Sequence, residues 1–214
     1  MTAPLPQTDR TGRTSRAEWL SAALDILVRE GIEQVKILRL AEALGTARSS
    51  FYWFFESRDA LLDALLQSWS DKNTGAIASH AAHKTKTITE AVLHVFECWI
   101  DADLFDARLD FAIREWARRD AKILTAIDTA DTLRISALTD MFHRHGFPRQ
   151  QAFIRARILY FTQVGYYALI DNEPLPDRQR YVDDYILGFT GQLPTASERA
   201  RFDIRLNAAD KARR

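Results

Sequence analysis

The sequence is short of the residues that usually give a chain a special chemistry. In 214 residues it has one cysteine, eight glycines and six prolines, and its 29 lysines and arginines are matched by 29 aspartates and glutamates. A lone cysteine excludes an intramolecular disulfide and argues against a cysteine-based zinc site, and the apolar window around Cys98 predicts a buried, inert thiol. With few glycines and few alternating β-branched runs, strands are not expected. A formal net charge of +0 excludes bulk attraction to nucleic acid or membrane, so any anion site must be local. Long apolar runs are also missing. The opening MTAPLPQTDRTGRTSR reads as neither secretory signal nor anchor, and the most apolar later stretch, Ile158 to Ile170, is interrupted by Thr162, Gln163 and Gly165. A soluble, cytoplasmic protein without a membrane partner is expected.

Catalytic signatures are absent too: there is no glycine-rich phosphate loop, no nucleophile elbow and no paired catalytic motif, so no catalytic residue and no cofactor are predicted. His80 with His83, and His143 with His145, are the best metal-like pairs. The first lies beside polar residues with no carboxylate in phase, so a solvated helix end is the preferred reading and no metal is expected.

What is present is helical periodicity. Caps and breakers divide the chain into about nine helices, which predicts an all-α fold. Ser15-Arg16-Ala17-Glu18 is a capping box opening a helix with the stripe Leu20, Ala23, Leu24 and Leu27, closed at Gly31. Short helices follow over about 37–44 and 48–54, with Gly45 between them. Ser57, Thr87 and Asp106 can cap three further helices, and TGAIASHAAHKTK before Thr87 reads as a linker. A helix from about Ala121 stops at Gly146, a long one ends near Glu173-Pro174, and the last runs near Asp177 to Gly191. The charged segment after Pro194 reads as a tail with a disordered tip. Three regions result: residues 1–56 with an N-terminal arm, 57–193, and a tail over 194–214.

Within the first region five rings stand in a row, Phe51, Tyr52, Trp53, Phe54 and Phe55. At about 100° per residue Phe51 and Phe55 share a face with Phe54 beside it, while Ser49 and Trp53 project opposite, flanked by Ser50 and Tyr52. The first group can dock on Leu20, Leu24, Leu40 and Leu44, each buried ring contributing roughly 1.5–3 kcal/mol. The second group is left outward beside Arg48, where a tryptophan needs a cover. Small Ala41, Gly45 four residues on and apolar Phe51 ten residues on form the helix-turn-helix spacing, whose second helix enters the major groove.

These residues, with Gly31, Ile37, Leu40, Leu44, Ser57, Arg58 and Leu61, resemble the tetracycline-repressor (TetR) family of transcriptional regulators over roughly residues 15 to 62. The resemblance implies a three-helix helix-turn-helix DNA-binding domain followed by a larger helical ligand-binding and dimerising domain. By the same resemblance Arg48, Ser49 and Ser50 open the recognition helix, Tyr52 reaches a phosphate, Trp53 contacts the backbone, and Arg58 is aimed at phosphate. Arg16, Lys36, Arg39 and Thr46 complete the candidate DNA-binding set. An arginine such as Arg48 on guanine gives about 1–3 kcal/mol of discrimination. Two positions depart from the family pattern. Lys36 and Ala47 stand where capping Ser or Thr is usual, so one or both helix starts lose an acceptor worth about 1 kcal/mol unless Thr46 caps instead. Through Leu66 eight basic side chains face nine acidic ones, so DNA binding needs the signs sorted in space.

In the larger part, 153–170 is apolar nearly all round, which requires burial on two sides. One side serves its own core and the other a two-fold partner, together with Tyr181, Tyr185, Ile186 and Phe189. Phe96, Trp99, Phe111, Trp116, Phe142 and Phe161 are candidates to line a ligand pocket, with His94, Arg114 and Glu115 as polar handles. The resemblance implies a homodimeric, ligand-responsive repressor of a near-palindromic operator, released by an apolar or aromatic small molecule. The competing readings are a helical protein-interaction module and, third, an all-α enzyme using the aromatic cavity.

Overall fold

The computed structural model describes residues 14–169 and 174–213. The expectations for the N-terminal arm and for Glu173 lie outside the described residues. Among the described residues there are ten α-helices and no strand, and the chain divides into two units, a head up to Leu65 and a body from Leu66.

The head opens with α1 (Arg16–Glu30), and its capping box forms as expected: Ser15 Oγ accepts from the Glu18 amide while the Glu18 carboxylate accepts from the Ser15 amide at 2.7 Å. Its buried face is rotated from the expected stripe. Trp19, Ala23, Ile26 and Leu27 face the core, and Leu20 and Leu24 are only half-buried, because the ring of Trp19 fills the space that Phe51 leaves. Next comes α2 (Ile37–Ala43), which buries Leu40 and Ala41. It ends in a Schellman turn, with the Thr46 amide donating to the Ala41 carbonyl and the Gly45 amide to Glu42.

Gly45 sits in that turn at φ +62°, with open space where a Cβ would stand. Gly45→Ala is therefore expected to destabilise the head by the backbone cost alone, about 1–2 kcal/mol. Urea unfolding of the full chain checks this, and Gly45→Asn should lose less because asparagine tolerates the left-handed region.

The third head helix is not α-helical. Arg48–Trp53 forms a 3₁₀ turn, because a six-residue segment without a side-chain cap is too short to sustain α-helix. Neither Lys36 nor Ala47 caps its helix, and the Thr46 hydroxyl meets Ser50 Oγ at 3.1 Å instead of an amide. Both starts lack the acceptor. Then α3 (Arg58–Trp69) begins with Ser57 Oγ accepting from the Ala60 amide.

The body continues from the last turn of α3 through a π-helical segment, Ser70–Thr74, into α4 (Gly75–Ala82). The expected linker is thus helical, held by buried Ile77 and Ala81. Thr87 and Asp106 cap α5 (Ile88–Ile100) and α6 (Ala107–Ala117), and Asp120 caps α7 (Ala121–Arg144). After Gly146, at φ +89°, come α8 (Arg149–Leu169) and α9 (Leu175–Thr190). The expected tail is a helix, α10 (Ala196–Arg213). Phe202 and Leu206, one turn apart, bury themselves in the body's core, and Glu198 accepts from Thr87 Oγ1 at 2.5 Å and Thr89 Oγ1 at 3.1 Å.

The centre of the body is polar. Arg134 is 0% exposed and bonds Thr74 Oγ1 at 3.0 Å and the Tyr160 hydroxyl at 2.9 Å, with Asp110 at 2.9 Å. Arg114 grips Asp131 with two nitrogens at 3.0 and 2.7 Å, and Tyr160 donates to Asp131 at 2.6 Å. Burial alone would push the Asp110 carboxyl up, but Arg134 and Arg114 beside it more than offset this and hold it below the usual carboxylate range.

Candidate functional site

In the head the five rings divide as their phase requires. Phe51 is 0% exposed, edge-on to Trp19 at 5.3 Å and stacked on Phe55 at 5.5 Å, while Tyr52 and Trp53 are 52% and 73% exposed. Arg48 and Ser49 share that open surface, and Ser50 turns partly inward, donating to the Ala47 carbonyl at 2.6 Å. Three of the candidate cations are already engaged. Arg39 pairs with Glu30, Arg16 lies 4.8 Å over the Phe55 ring, and Arg58 donates from Nε to the Val35 carbonyl at 2.6 Å and from Nη2 to Ile32 at 3.0 Å. Arg58 is thereby placed as a tie that anchors the segment before α2 to the start of α3, with two nitrogens turned inward. Lys36 is exposed at the start of α2. Pairing within the head, Arg39 to Glu30 and Arg29 to Asp25, removes acidic charge from competition and leaves Arg48 beside the exposed rings.

The body does not gather the six proposed ring residues around one pocket. Phe96 and Trp99 line a cleft between α5, α8, α9 and α10 that is partly open to solvent. Phe142 is sealed in the core, Trp116 is buried on α6 and Phe111 is half-buried beside it. Phe161 lies on an exposed groove between α7 and α8 with the Arg157 guanidinium 5.0 Å over its ring. The cleft instead recruits Tyr166, Tyr167, Arg178, Tyr185 and Phe189. Their signal is the ring-rich spacing on α8 and α9, of which Tyr185 and Phe189 are expected on a partner face and Phe161 in the pocket. Ile186 and Phe189, expected on a partner face, are buried within the protomer.

Residues 20–65 match the family described as "Bacterial regulatory proteins, tetR family". Over that segment the chain is similar to the tetR family. Over 54 residues it is 39% identical to the tetracycline repressor protein class A from transposon 1721 of Escherichia coli. That stretch is 25% of each chain, so the present protein matches a quarter of its curated relative's length. Solved structures extend the likeness in fold beyond the tetR-family head. The ketosteroid transcriptional regulator KstR2 of Mycobacterium tuberculosis superposes with a TM-score of 0.63 at 17% identity, covering 88% of this chain and 100% of the other. AmtR of Mycobacterium smegmatis gives 0.59 at 18% identity, covering 94% and 97%. Among the described residues no helix is long and apolar enough to cross a membrane.

Elsewhere in the chain, His80 and His83 are drawn together around His94, at ring-centre distances of 4.8 and 4.3 Å, with His94 Nδ1 2.8 Å from Glu97. Among the described residues no group of three or more His, Cys, Asp or Glu is arranged to hold a metal. Burial, with His94 and His83 nearby, lowers the His80 pKa against the opposing pull of the Ala76 carbonyl and Glu97. A histidine lowered on folding takes up its proton more readily when unfolded. Its neutral form therefore stabilises the fold above its ordinary value of 6.5, and that contribution is lost as pH falls through the folded value. The urea midpoint of the body is expected to rise from about pH 5 to 7, with a shallower rise in His80→Gln. An unchanged slope in that variant would show that His80 is not the titrating group. Nearby, burial pushes the Cys98 thiol up to about 12, which leaves it an inert part of the core.

Proposed function

We propose that this chain is a ligand-responsive transcriptional regulator, a repressor in the family's usual sense, acting in the cytoplasm as a homodimer on a near-palindromic operator. One observation carries the reading. Tyr52 and Trp53 stay exposed beside Arg48 on the recognition turn, while Phe51 anchors that turn to the tetR-family head. In this reading Arg48 and Ser49 reach base edges. Tyr52 and Trp53 hold sugar-phosphate, Lys36 and Arg16 add phosphate contacts, and Arg58 and Arg39 position the elements that carry them. Thr46 and Ser50 shape the turn through their shared hydroxyl contact.

Dimerisation is supported by a continuous apolar surface on α8, with Phe153, Ile154, Ile158 and Phe161 each about half exposed, and by Tyr181, Tyr185 and Leu187 on α9. A two-fold pairing would cover them and present two recognition turns to one duplex. An apolar or aromatic small molecule in the body would release the operator, a typical coupling of about 1–3 kcal/mol changing affinity 5- to 150-fold.

Selection from random duplexes followed by titration at two salt concentrations tests this. A palindromic site should be enriched. Tyr52→Phe should weaken binding about equally on all sequences with the salt slope unchanged, Lys36→Ala should reduce the salt slope by about one contact, and Arg48→Ala should relax specificity at one position by about 1–3 kcal/mol. Salt-insensitive binding that all three variants leave unchanged would refute the DNA reading and favour a protein-interaction module.

A further inference from the structure

The cleft between α5, α8, α9 and α10 has a wall that is mostly rings, yet two nitrogen donors on that wall have no acceptor among the described residues. They are the indole Nε1 of Trp99 and the buried Nε of Arg178. Burying a donor without a partner is costly; elsewhere in the body Trp69 Nε1 meets Asp110 at 2.9 Å and Arg134 Nε meets Thr74 at 3.0 Å, and Arg134 Nη2, which makes no hydrogen bond, has the Asp110 carboxylate 2.9 Å away, a countercharge that no residue lining the cleft offers Arg178. No Asp or Glu is among the described residues that line the cleft, so Arg178 supplies its one formal charge there. The guanidinium lies 5.4 Å over the Tyr166 ring.

The surrounding rings are held in place. Phe96 contacts Phe189 and Phe202 at 6.2 and 6.4 Å, Tyr185 stacks on Phe189 at 6.0 Å, and the Tyr167 hydroxyl donates to the Trp99 carbonyl at 2.6 Å. Such a wall offers ring faces and edges to a flat apolar body, and the cationic Arg178, with the neutral Trp99 N–H beside it as a second unmatched donor, calls for an anion that presents oxygen acceptors.

We propose that this cleft binds an aromatic carboxylate, its ring packed among Phe96, Tyr166 and Phe189 and its carboxylate taken by Arg178, with the Trp99 indole N–H as a second donor. The inference names the effector class of the regulator proposed above and rests on that reading. A neutral ring would fill the space but leave both donors unmatched. Carboxylate and amide forms of one skeleton therefore separate ring packing from charge recognition.

The test titrates the full chain with 2-naphthoate and with 2-naphthamide by calorimetry. Wild type is expected to bind naphthoate at least about tenfold more tightly than the amide. Arg178→Gln should remove that preference while leaving the amide unchanged, Arg178→Lys should restore part of it, and Trp99→Phe should keep the ring site but weaken naphthoate several-fold. Circular dichroism of each variant separates loss of a site from loss of fold. Equal affinity for the two probes in wild type overturns the inference, as does naphthoate binding that ignores Arg178→Gln. It is also overturned if Arg178→Gln alters only the oligomeric mass, because Arg178 then serves a subunit contact. If no duplex is enriched yet naphthoate binds through Arg178, the regulator reading fails and the cleft assignment stands. If a palindrome is enriched while neither probe binds, the cleft assignment alone fails.

Discussion

Asp110→Ala is expected to destabilise the body by about 3–5 kcal/mol, because it leaves the buried Arg134 charge without its nearer carboxylate, with only Asp131 remaining at 3.7 Å. Asp110 is 3% exposed, receives the Trp69 indole N–H at 2.9 Å and Arg114 Nε at 3.0 Å, and pairs by charge with Arg134 Nη2 at 2.9 Å. Alanine therefore strands two donors and removes the nearest countercharge of Arg134. The pair Asp110→Leu with Arg134→Met should recover most of the loss, since apolar groups of similar volume remove the desolvation cost along with the attraction. Urea unfolding of the single and double variants measures the coupling. A single-variant cost below about 1 kcal/mol would mean that water reaches Arg134 and that the network is not the closed polar core described here. The pH dependence has a definite sign. A carboxyl held low by its arginines contributes stability above its unfolded value, and that contribution is lost as pH falls through the folded value. Acid unfolding should therefore be less steep in the double variant than in wild type.

That network also shows where the sequence stopped being legible. The head was readable because its signals are local. Ala41, Gly45 and Phe51 stand at a spacing that one turn geometry demands, and Ser15, Thr87 and Asp106 cap the helices they precede. Asp110 and Arg134 carry no local sign of burial. Each looks like a solvated charge until α6 and α7 pack together, and only the fold brings Tyr160 from α8 against them. Composition misled in two further places. Residues 196–213 are charged enough to read as a tail, yet Phe202 and Leu206 are one helical turn apart and that spacing was the usable signal. The alanines and histidines of 75–82 read as a linker, although Ile77 and Ala81 share a buried face.

The candidate sites divide along the same line. On the recognition turn, phase alone separated the exposed rings from the buried ones, and it did so even though the segment is 3₁₀ and not α-helical. Sequence adjacency was enough because the whole site lies within a few residues of Phe51. The cleft draws its wall from four helices across more than a hundred positions, and a ring such as Phe142, which looks identical in the sequence, ends in the core instead. Arg58 falls between these cases. Its position after the aromatic run was readable, but its two bonds back to Val35 and Ile32 depend on the path of the chain before α2.

Phe51→Ala is expected to be the most damaging change in the head, costing about 3–5 kcal/mol, the usual range for deleting a buried phenylalanine. Phe51 contacts the rings of Trp19, Tyr52 and Phe55 at 5.3, 5.4 and 5.5 Å and is 0% exposed. Its loss therefore opens a cavity bounded by three side chains that cannot all collapse into it. The recognition turn has no side-chain cap and is too short to hold itself together, so that ring is the main link between Arg48–Trp53 and the rest of the head. Hydrogen exchange should find the head amides of Phe51→Ala exchanging from an unfolded state while the core helices of the body keep their protection. Duplex binding should disappear with the head. Phe51→Leu, which keeps an apolar plug, should retain a folded head with weaker binding. Were Phe51→Ala to leave both head protection and duplex affinity intact, the turn would have to be held by something other than this ring. Tyr52 and Trp53 would then owe their outward position to contacts other than Phe51.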